Sequence, residues 1–452
     1  MKKWEHSIRP GAEINKRNGQ KTAGTGYHMR PLLPRLLRLL FPGEKSSFVF
    51  DRHQAILPSR PDGLNLYIHL PFCRSICHFC PYVKVPYDTA VSAAYQDAVI
   101  KELDSYRRIW GDVNIESVYF GGGTPSLTPE IVESTLSWIA GKFHLGHEVG
   151  VEIHPLDASP QVINSLKHSG VTMVSLGAQS FNDRLLKVLG RGYNNKAVMK
   201  AYEQLVEIGF DTIDIDLIFA VPSEKVEEVE EDIETACKLG AGQISSYPLI
   251  PFSYTPIKTS LKKAGLSMPS WRLERKMLQL IVNKTRNAGY QRTSIWSFNR
   301  TGTTRYTTVT RDAFIGIGAG ASSRTGDYFW LNTFSVADYI RTMEAGSSPL
   351  ALATRLNPGD RMAYWLFWQC YNTAINTGNL KRLSGGKQPR RIKAFLSLLN
   401  LLGMACQEGD TVRLTDSGAY LFHLVEKGYT HAYLETLWQA CLREAWPRRV
   451  VL

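Results

Sequence analysis

Three cysteines, Cys73, Cys77 and Cys80, have the spacing that most directly predicts chemistry in this sequence. They form a C-x3-C-x2-C pattern directly after a short apolar run at 64–70 that is typical of a β-strand. Thiolates are soft ligands, and clusters of them select zinc or iron–sulfur groups. The spacing therefore predicts a metal centre on a loop that follows a strand.

Zinc and iron–sulfur clusters make different demands on such a loop. A structural zinc ion needs four ligands, and His69 or His78 would have to supply the fourth one here. A [4Fe-4S] cluster usually has four cysteine ligands, so three cysteines would leave one iron open to a substrate or cofactor. Both interpretations remain open from the spacing alone. The remaining cysteines occur singly and are interpreted as buried core thiols: Cys237, Cys370, Cys406 and Cys441.

The composition is that of an ordinary globular protein with a basic excess. The chain has 452 residues, 44% of them hydrophobic and 21% charged, which is long enough for more than one domain. The net charge is +12, and residues 1–60 hold twelve Lys or Arg against four Asp or Glu. This excess favours an anionic partner, or is a solvated basic arm. Without a long apolar run or a secretory signal, we expect a cytoplasmic protein.

Residues 29–41 combine leucines with arginines in the sequence MRPLLPRLLRLLF. As a short helix this segment would be basic and amphipathic. Three interpretations fit: packing on the main domain, peripheral contact with a membrane surface, or capping of a substrate cavity.

Strand and helix patterns alternate from residue 64 onwards. Strands are predicted at 64–70, 116–119, 149–153, 171–176, 211–219 and 243–247. Helices are predicted at 89–109, 128–142, 159–168, 182–190, 195–208 and 225–239. Regular alternation predicts an α/β fold with a parallel sheet and right-handed crossovers. Because the polar and Gly-rich loops follow the strands, a barrel-type sheet fits best.

The alternation stops at about residue 330, and the rest of the sequence is mainly helical with one short strand-like pair, a pattern that resembles a winged-helix module. We therefore expect three parts: a basic N-terminal extension at 1–60, a barrel domain at 61–330 and a C-terminal domain at 331–452. A basic run from Lys381 to Lys393 lies in the last part, but we expect no nucleic-acid binding there.

Five motifs occur in the order YIHLPFCRSICHFC, FGGGTPS, VSLGAQSFNDRLLKVLGR, DIDLIFAVP and GIGAGASS. Together they resemble the oxygen-independent coproporphyrinogen III oxidase-like (HemN-type) family of the radical S-adenosylmethionine (SAM) superfamily, over roughly residues 60–330. The resemblance implies a partial (β/α)6 barrel with a [4Fe-4S] cluster at its mouth and a winged-helix-like, HemN-type C-terminal domain. It also implies two SAM molecules, one of them chelated by the open iron.

The resemblance assigns roles to individual residues of this sequence. Cys73, Cys77 and Cys80 would hold the cluster. The cluster-bound SAM would contact Tyr67, Gly122 and Glu152. The second SAM would contact Phe79, Gly123, Thr124, Gln179, Arg191 and Asp216, with Ile250 and Ser322 at further contact positions.

The sequence departs from the family pattern at three places. The oxidases carry another cysteine two residues after the third one, where this chain has Tyr82. Ala220 stands where the DLIxGxP motif has its glycine. The heme-chaperone branch carries an His-Asn…Tyr-Trp motif, where residues 305–308 read Arg-Tyr-Thr-Thr.

Four hypotheses for the function follow. The first is methyl or methylene transfer from SAM to an sp2 carbon of a planar unsaturated substrate, such as a tetrapyrrole or a quinone. The second is oxidative decarboxylation of coproporphyrinogen III, the third a heme chaperone, and the fourth a zinc-bearing nucleic-acid-binding protein. We favour the first because Tyr82 replaces the extra cysteine. The expected partners are a small-molecule substrate and a reductase or flavodoxin-type electron donor, and we expect a monomer.

Overall fold

The fold is built around one large mixed sheet flanked by helices. A computed structural model describes residues 48–52, 60–61, 63–307, 313–386 and 389–452. Residues 29–41 lie outside the described residues, so the three interpretations of that segment stay predictions.

The large sheet contains fourteen strands. Six of them form the barrel, namely β2 (Gly63–Leu70), β5 (Asn114–Gly122), β6 (His144–Ile153), β7 (Met173–Gln179), β8 (Thr212–Phe219) and β9 (Gln243–Pro248). Three more continue the sheet beside it, namely β10 (Tyr290–Arg292), β11 (Ser297–Arg300) and β12 (Phe314–Ile317). The others are β1 (Val49–Asp51), β13 (Ser322–Thr325), β14 (Tyr328–Asn332), β15 (Leu350–Arg355) and β19 (Arg449–Val451). Two small sheets hold β3 (Phe72–Cys73) with β4 (Val85–Pro86), and β16 (Ala374–Asn376) with β17 (Ala405–Glu408) and β18 (Thr411–Leu414).

Helices connect these strands. In the first part they are α1 (Thr89–Trp110), α2 (Pro129–Ala140), α3 (Pro160–His168), α4 (Asp183–Val188), α5 (Asn195–Ile208), α6 (Val226–Leu239), α7 (Ile257–Lys263) and α8 (Trp271–Asn287). Later come α9 (Val336–Glu344), α10 (Pro358–Tyr371), α11 (Thr377–Leu383), α12 (Arg390–Leu401), α13 (Asp416–Tyr429) and α14 (Glu435–Arg443). Among the described residues, no helix is both long enough and apolar enough to cross a bilayer.

The strands β2, β5, β6, β7, β8 and β9 are parallel neighbours in chain order and form the predicted partial (β/α)6 barrel. They are buried almost throughout, as expected of a parallel sheet covered by helices. The barrel is open, because β12 continues the sheet beyond β2 and antiparallel β11 follows β9. All six predicted strands and all six predicted helices of this part are confirmed, with ends that move by a few residues.

Beyond residue 330 the chain is more varied than the sequence pattern predicts. The strands β14 and β15 extend the large sheet, and β1 pairs with both β15 and β19. The helix α12, the hairpin β17–β18 and the helix α13 then form a winged-helix-like unit. The domain limits at 60 and 330 stay predictions.

Candidate active site

Five predicted site segments lie at one edge of the barrel because the carboxyl ends of its parallel strands meet there. The cysteine loop follows β2, the Gly121–Gly123 run ends β5, and Glu152 lies at the end of β6. Gln179 ends β7, and Asp216 lies in the second half of β8. The register of the sheet therefore explains why residues far apart in sequence converge.

The cysteine loop is fixed by backbone and side-chain hydrogen bonds. The Lys84 Nζ donates to the Cys80 carbonyl at 2.7 Å, and the Tyr87 N–H donates to the Cys73 carbonyl at 3.0 Å. A ring nitrogen of His69 lies 2.8 Å from the Val83 carbonyl oxygen. The loop is thus held at its start and at its end, which suits a pre-organised ligand site.

The three thiols lie near one another. Burial raises the pKa of Cys73 to about 11, and the neighbouring thiols Cys80 and Cys77 raise it further. Burial also raises the pKa of Cys80. The Thr124 hydroxyl donates to the Cys73 Sγ at 3.6 Å, so a residue of the glycine motif contacts the first cysteine directly.

The donor set fits an iron–sulfur cluster better than a zinc ion. Across the described part of the chain, no three His, Cys, Asp or Glu side chains converge tightly enough to hold one metal ion. Thiolates that bind different irons of a cluster lie farther apart than ligands of a single ion. His69 cannot complete a zinc site without giving up its contacts, because its ring bridges the Val83 carbonyl and the Tyr67 hydroxyl.

The glycines at the end of β5 allow the chain to pass close to this loop. Gly122 has φ +117°, which L side chains rarely adopt, and a Cβ there would lie 2.4 Å from the His69 ring. A Cβ on Gly123 would lie 2.6 Å from the Pro71 backbone. The two glycines therefore let the end of β5 pack directly against His69 and Pro71 beside the cysteines, and we call this turn the cradle.

Glu152 lies opposite this cradle. Its Oε2 accepts a hydrogen bond from the Gly122 N–H at 3.2 Å. Burial, and then the charge of Asp216, raises the pKa of Glu152 to about 7. Burial and the Glu152 carboxylate also raise the pKa of Tyr67. The predicted contacts of the first SAM, Tyr67, Gly122 and Glu152, thus lie together.

Arg191 lies over the cysteine loop. Its Nη1 contacts the Cys77 Sγ at 3.2 Å, and its guanidinium lies 5.5 Å from the ring centres of both Phe79 and Tyr193. Its Nε is buried and has no hydrogen-bond partner among the described residues. Gly177 is close to both Arg191 and Gln179, since a Cβ there would lie 3.6 and 3.2 Å from their side-chain nitrogens. A buried, unpartnered cation donor is what an anionic ligand group would satisfy.

Asp216 belongs to a polar cluster in the barrel interior. The Ser175 hydroxyl donates to Asp216 Oδ2 at 2.6 Å, and Ser245 donates to Asp214 at 3.0 Å. Burial raises the pKa of Asp216 to about 6, and it raises the pKa of Asp214 well above its ordinary value. The two carboxyls interact, and Asp214 holds its proton more tightly. The predicted site residues do not include Asp214, although the period of two places it on the same strand face as Asp216.

Aromatic rings from distant parts of the chain surround the same space. Tyr82 is 50% exposed and Tyr247 is 37% exposed, yet burial raises the pKa of both hydroxyls. From these two observations together we infer that both rings line a concave chamber beside the cysteine loop. Glu152 and Asp216 raise the pKa of Tyr82 further, so these carboxylates face the same chamber.

The C-terminal part closes one side of this chamber. The ring centres of Tyr82 and Trp438 are 5.7 Å apart, and Trp438 stacks on Phe252 at 6.1 Å. The charge of Arg305 lowers the pKa of Tyr371, from α10, and the charge of Asp216 raises it. Sequence reasoning missed Trp438 and Tyr371, because nothing local marks an aromatic residue as facing a chamber formed by another domain.

Two predicted contact residues stand apart from the others. Ile250 packs against the main hydrophobic core, and Ser322 lies on β13, opposite Leu331 of β14. No contact of either one with the other predicted residues is seen in the described part of the chain. Their roles in SAM binding therefore stay predictions from the resemblance, as do the roles of the other residues.

The interpretation of the four single cysteines as core thiols is partly wrong. Cys370 and Cys441 are buried and Cys237 is half-buried, but Cys406 is exposed. Cys406 is on the short hairpin strand β17, whose side chains face solvent beyond its first residue.

Comparison with known proteins agrees with the geometry. Residues 67–236 match the model of the radical SAM superfamily. A protein named heme chaperone HemW from Lactococcus lactis is 32% identical over 61% of this chain and 73% of its own length. An oxygen-independent coproporphyrinogen III oxidase from Pseudomonas aeruginosa is 26% identical over 69% of this chain and 73% of its own length.

A solved structure shows the same fold. Coproporphyrinogen III oxidase (HemN) from Escherichia coli superimposes with a TM-score of 0.70 at 20% sequence identity, covering 85% of this chain and 95% of that chain. The fold with its mainly helical C-terminal part, the cysteine pattern and the relatives agree, and a radical SAM domain implies a [4Fe-4S] cluster and SAM. The chain belongs to the HemN-type family of radical SAM enzymes.

Proposed function

We propose that this enzyme oxidatively decarboxylates a tetrapyrrole that carries propionate groups, the reaction class of a coproporphyrinogen III oxidase. The observation that carries the proposal is the chamber beside the cysteine loop. Its aromatic rings, Tyr82, Tyr247 and Trp438, suit a large planar substrate. Its carboxylates, Glu152 and Asp216, suit the ribose and ammonium groups of SAM.

A basic cavity lined by Asn372, the residue after Tyr371, supports a substrate with carboxylate groups. It has a volume of about 390 Å³, and Arg292, Arg305 and Arg413 are among its lining residues. Arg305 also lowers the pKa of Tyr371, and Asp216 in the chamber raises the pKa of the same hydroxyl. Arg292 lies 3.8 Å from Asp416, and Arg413 is paired with Glu408 at 2.9 Å. Because guanidinium groups bind carboxylates well, a propionate that reached this cavity would share these cations with the acids of the chain.

The bound cofactors would supply the one-electron chemistry, namely reductive cleavage of SAM and removal of a hydrogen atom from the substrate. The chain's own residues would bind and orient SAM and the substrate. The Gly122 backbone and Glu152 would fix one SAM, and Arg191 would neutralise a carboxylate near the cluster. For each propionate that becomes a vinyl group, one hydrogen atom, one electron and CO2 leave the substrate, so an electron acceptor is needed as well.

The two relatives described above act on or bind tetrapyrroles by name, a heme chaperone and a coproporphyrinogen oxidase. Methyl or methylene transfer, the first expectation from the sequence, has less support from them. The number of SAM molecules, one or two, is part of the proposal and can be counted in the same experiment.

A heme chaperone is the second candidate, because the 32% identical relative carries that name. Against it stands the sequence at 305–308, which lacks the motif of that branch. The two candidates differ in one clear respect: an oxidase consumes SAM in turnover, whereas a carrier protein only needs to bind and release heme.

The test is anaerobic turnover. The protein is reconstituted with iron and sulfide, reduced with dithionite and incubated with SAM, coproporphyrinogen III and an added one-electron acceptor, and products are identified by mass spectrometry. We expect 5′-deoxyadenosine together with loss of two CO2 from the substrate, and neither product from a Cys80→Ala control. Formation of S-adenosylhomocysteine and a methylated product would contradict the proposal in favour of methyl transfer. Tight heme binding without SAM cleavage would contradict it in favour of the chaperone.

A further inference from the structure

The helix α12 has a second apolar face that the core does not use. Its inward residues, Ile392, Phe395, Leu396 and Leu399, are buried. On the opposite side Leu398 is 51% exposed and Leu401 is 83% exposed, and Leu402, directly after the helix, is 57% exposed. Spacings of three and four residues put Leu398, Leu401 and Leu402 on one side of a helix. We call these three residues the outer leucine face.

The sequence around the outer leucine face is uniformly basic. Residues 381–403 contain no Asp or Glu. They contain six basic residues, namely Lys381, Arg382, Lys387, Arg390, Arg391 and Lys393. Three acids of the winged-helix-like unit lie near this surface. Asp416, which follows the Thr415 that donates to the Gly403 carbonyl, is paired with Arg286 at 2.7 Å, and Glu408 is paired with Arg413 at 2.9 Å. Asp410 lines one cavity together with Lys381 and Lys393. With six basic residues on 381–403, the surface thus combines exposed leucines with a net positive charge.

We propose that α12 docks on the surface of an anionic lipid bilayer, with the outer leucine face inserted among the acyl chains and the flanking Lys and Arg side chains at the headgroups. Leucines on one side and basic residues beside them are the pattern of helices that lie in a membrane interface. Each Lys or Arg near an anionic leaflet strengthens such binding.

Two other occupants fit the same surface less well. Nucleic acid would use the basic residues, but phosphates and sugars give an 83% exposed leucine nothing to pack against. A second copy of this chain could cover the leucines, but it would place two like-charged basic surfaces face to face. An anionic bilayer is the partner that satisfies both features at once.

The test compares full-length chains by co-sedimentation with vesicles of phosphatidylcholine, with and without phosphatidylglycerol. We expect binding only to the anionic vesicles, weakened by added salt. Replacing the outer leucine face, with Leu398→Ser, Leu401→Ser and Leu402→Ser together, should lower the affinity more than about tenfold. Replacing Arg391→Gln and Lys393→Gln should lower it by about fivefold for each charge.

A matched control keeps the result specific. Val206 is also about half exposed, 51%, but its helix α5 carries Glu203 and Glu207 beside it, so Val206→Ser should leave vesicle binding unchanged. Because residues 29–41 also combine leucines with arginines, the chains compared differ only on α12. Circular dichroism and SAM cleavage at the parent level show that the variants are folded.

Three outcomes would overturn the proposal. The first is a triple leucine variant that binds anionic vesicles as well as the parent does. The second is binding to a DNA oligonucleotide that the leucine changes leave intact, in a chain that does not bind vesicles. The third is a dimer in solution that the leucine changes dissociate, again without vesicle binding.

Discussion

Glu102 is a buried carboxylate and Glu152 a half-buried one in two regions of one barrel, and they differ in how their oxygens are satisfied. Burial raises the pKa of each to about 7. Glu102, on α1, accepts hydrogen bonds from the Tyr339 hydroxyl at 2.6 Å, the Asn332 amide at 2.7 Å and the Gly318 N–H at 2.8 Å. Among the described residues, Glu152 accepts one hydrogen bond, from Gly122.

This difference separates a structural carboxylate from one that is available to a ligand. Glu102 ties α1 to β14, to α9 and to the glycine-rich loop after β12, so its oxygens are fully used inside the fold. Glu152 faces a chamber with most of its hydrogen-bonding capacity unused, and a neighbouring acid, Asp216, raises the cost of its charge. Open capacity at a buried charge is the mark of a site that awaits a ligand.

The largest expected effect is loss of the [4Fe-4S] cluster when a cysteine of the loop beside the chamber is replaced. Each of Cys73→Ala, Cys77→Ala and Cys80→Ala should abolish the [4Fe-4S] absorbance after anaerobic reconstitution, because three thiolates already leave one iron without a protein ligand. Iron and sulfide content gives an independent measurement. Cys406→Ala, at an exposed cysteine, is the control that keeps the cluster. A normal cluster in any one of the three variants would contradict the assignment.

The next largest effect is a loss of stability when the structural carboxylate, Glu102, is replaced. Glu102→Ala would leave three buried donors without an acceptor and create a cavity, so the free energy of unfolding should fall by about 3–5 kcal/mol. Urea denaturation of the apoprotein measures this. Glu133→Ala, at an exposed position of α2, should change it by less than about 0.5 kcal/mol. A Glu102→Ala protein as stable as the parent would break the distinction drawn between the two carboxylates.

Glu152→Gln should show the opposite behaviour. The side chain keeps its shape but loses its charge, so SAM affinity should fall by about tenfold or more, while the cluster absorbance stays near that of the parent and the thermal midpoint does not fall. Equilibrium dialysis of the reconstituted protein with SAM gives the affinity. If instead stability falls as it does for Glu102→Ala, then Glu152 has a structural role and the comparison fails.

The smallest and most specific expected effect is a pH-dependent change in stability at a third carboxylate, Glu426. Glu426 on α13 is buried, its Oε2 has no hydrogen-bond partner among the described residues, and its Oε1 accepts from the Thr430 hydroxyl at 3.4 Å. Burial raises its pKa to about 7, and the groups that sense its charge, Tyr371 and Tyr429, are neutral near that pH.

The sign of the pH effect of Glu426 follows from this shift. In the unfolded chain the carboxyl ionises near its ordinary pKa, so the folded protein binds a proton that the unfolded chain has released. The contribution of Glu426 to stability therefore falls as pH rises from about 4.5 to about 7 and is constant above that. Glu426→Gln should raise the free energy of unfolding by roughly 1–2 kcal/mol at pH 8 and change it little at pH 5. An equal effect at both pH values would show that ionisation of Glu426 is not the cause.

The sequence was sufficient for everything that local periodicity encodes. Buried runs and amphipathic helices predict the six β/α units, and parallel strands place Glu152 and Asp216 at one edge. It was not sufficient for contacts that depend on tertiary packing. The Arg191–Cys77 contact joins residues 114 positions apart, and the chamber joins Tyr82 to Trp438. Only the family resemblance pointed to Arg191, and nothing in the sequence pointed to Trp438.

The pairing of β1 with β19 has a consequence for the order in which the molecule forms. Val49 lies opposite Val451, so β1 lacks one of its two neighbours until the ribosome has completed residues 449–451. The barrel strands and the cysteine loop emerge much earlier and can assemble first, since folding begins while synthesis continues. During that interval the free edge of β1 presents open hydrogen-bonding groups, which are a template for pairing with another chain. Loss of the last strand should therefore be noticed first as aggregation of newly made protein, before any loss of chemistry in the molecules that do fold.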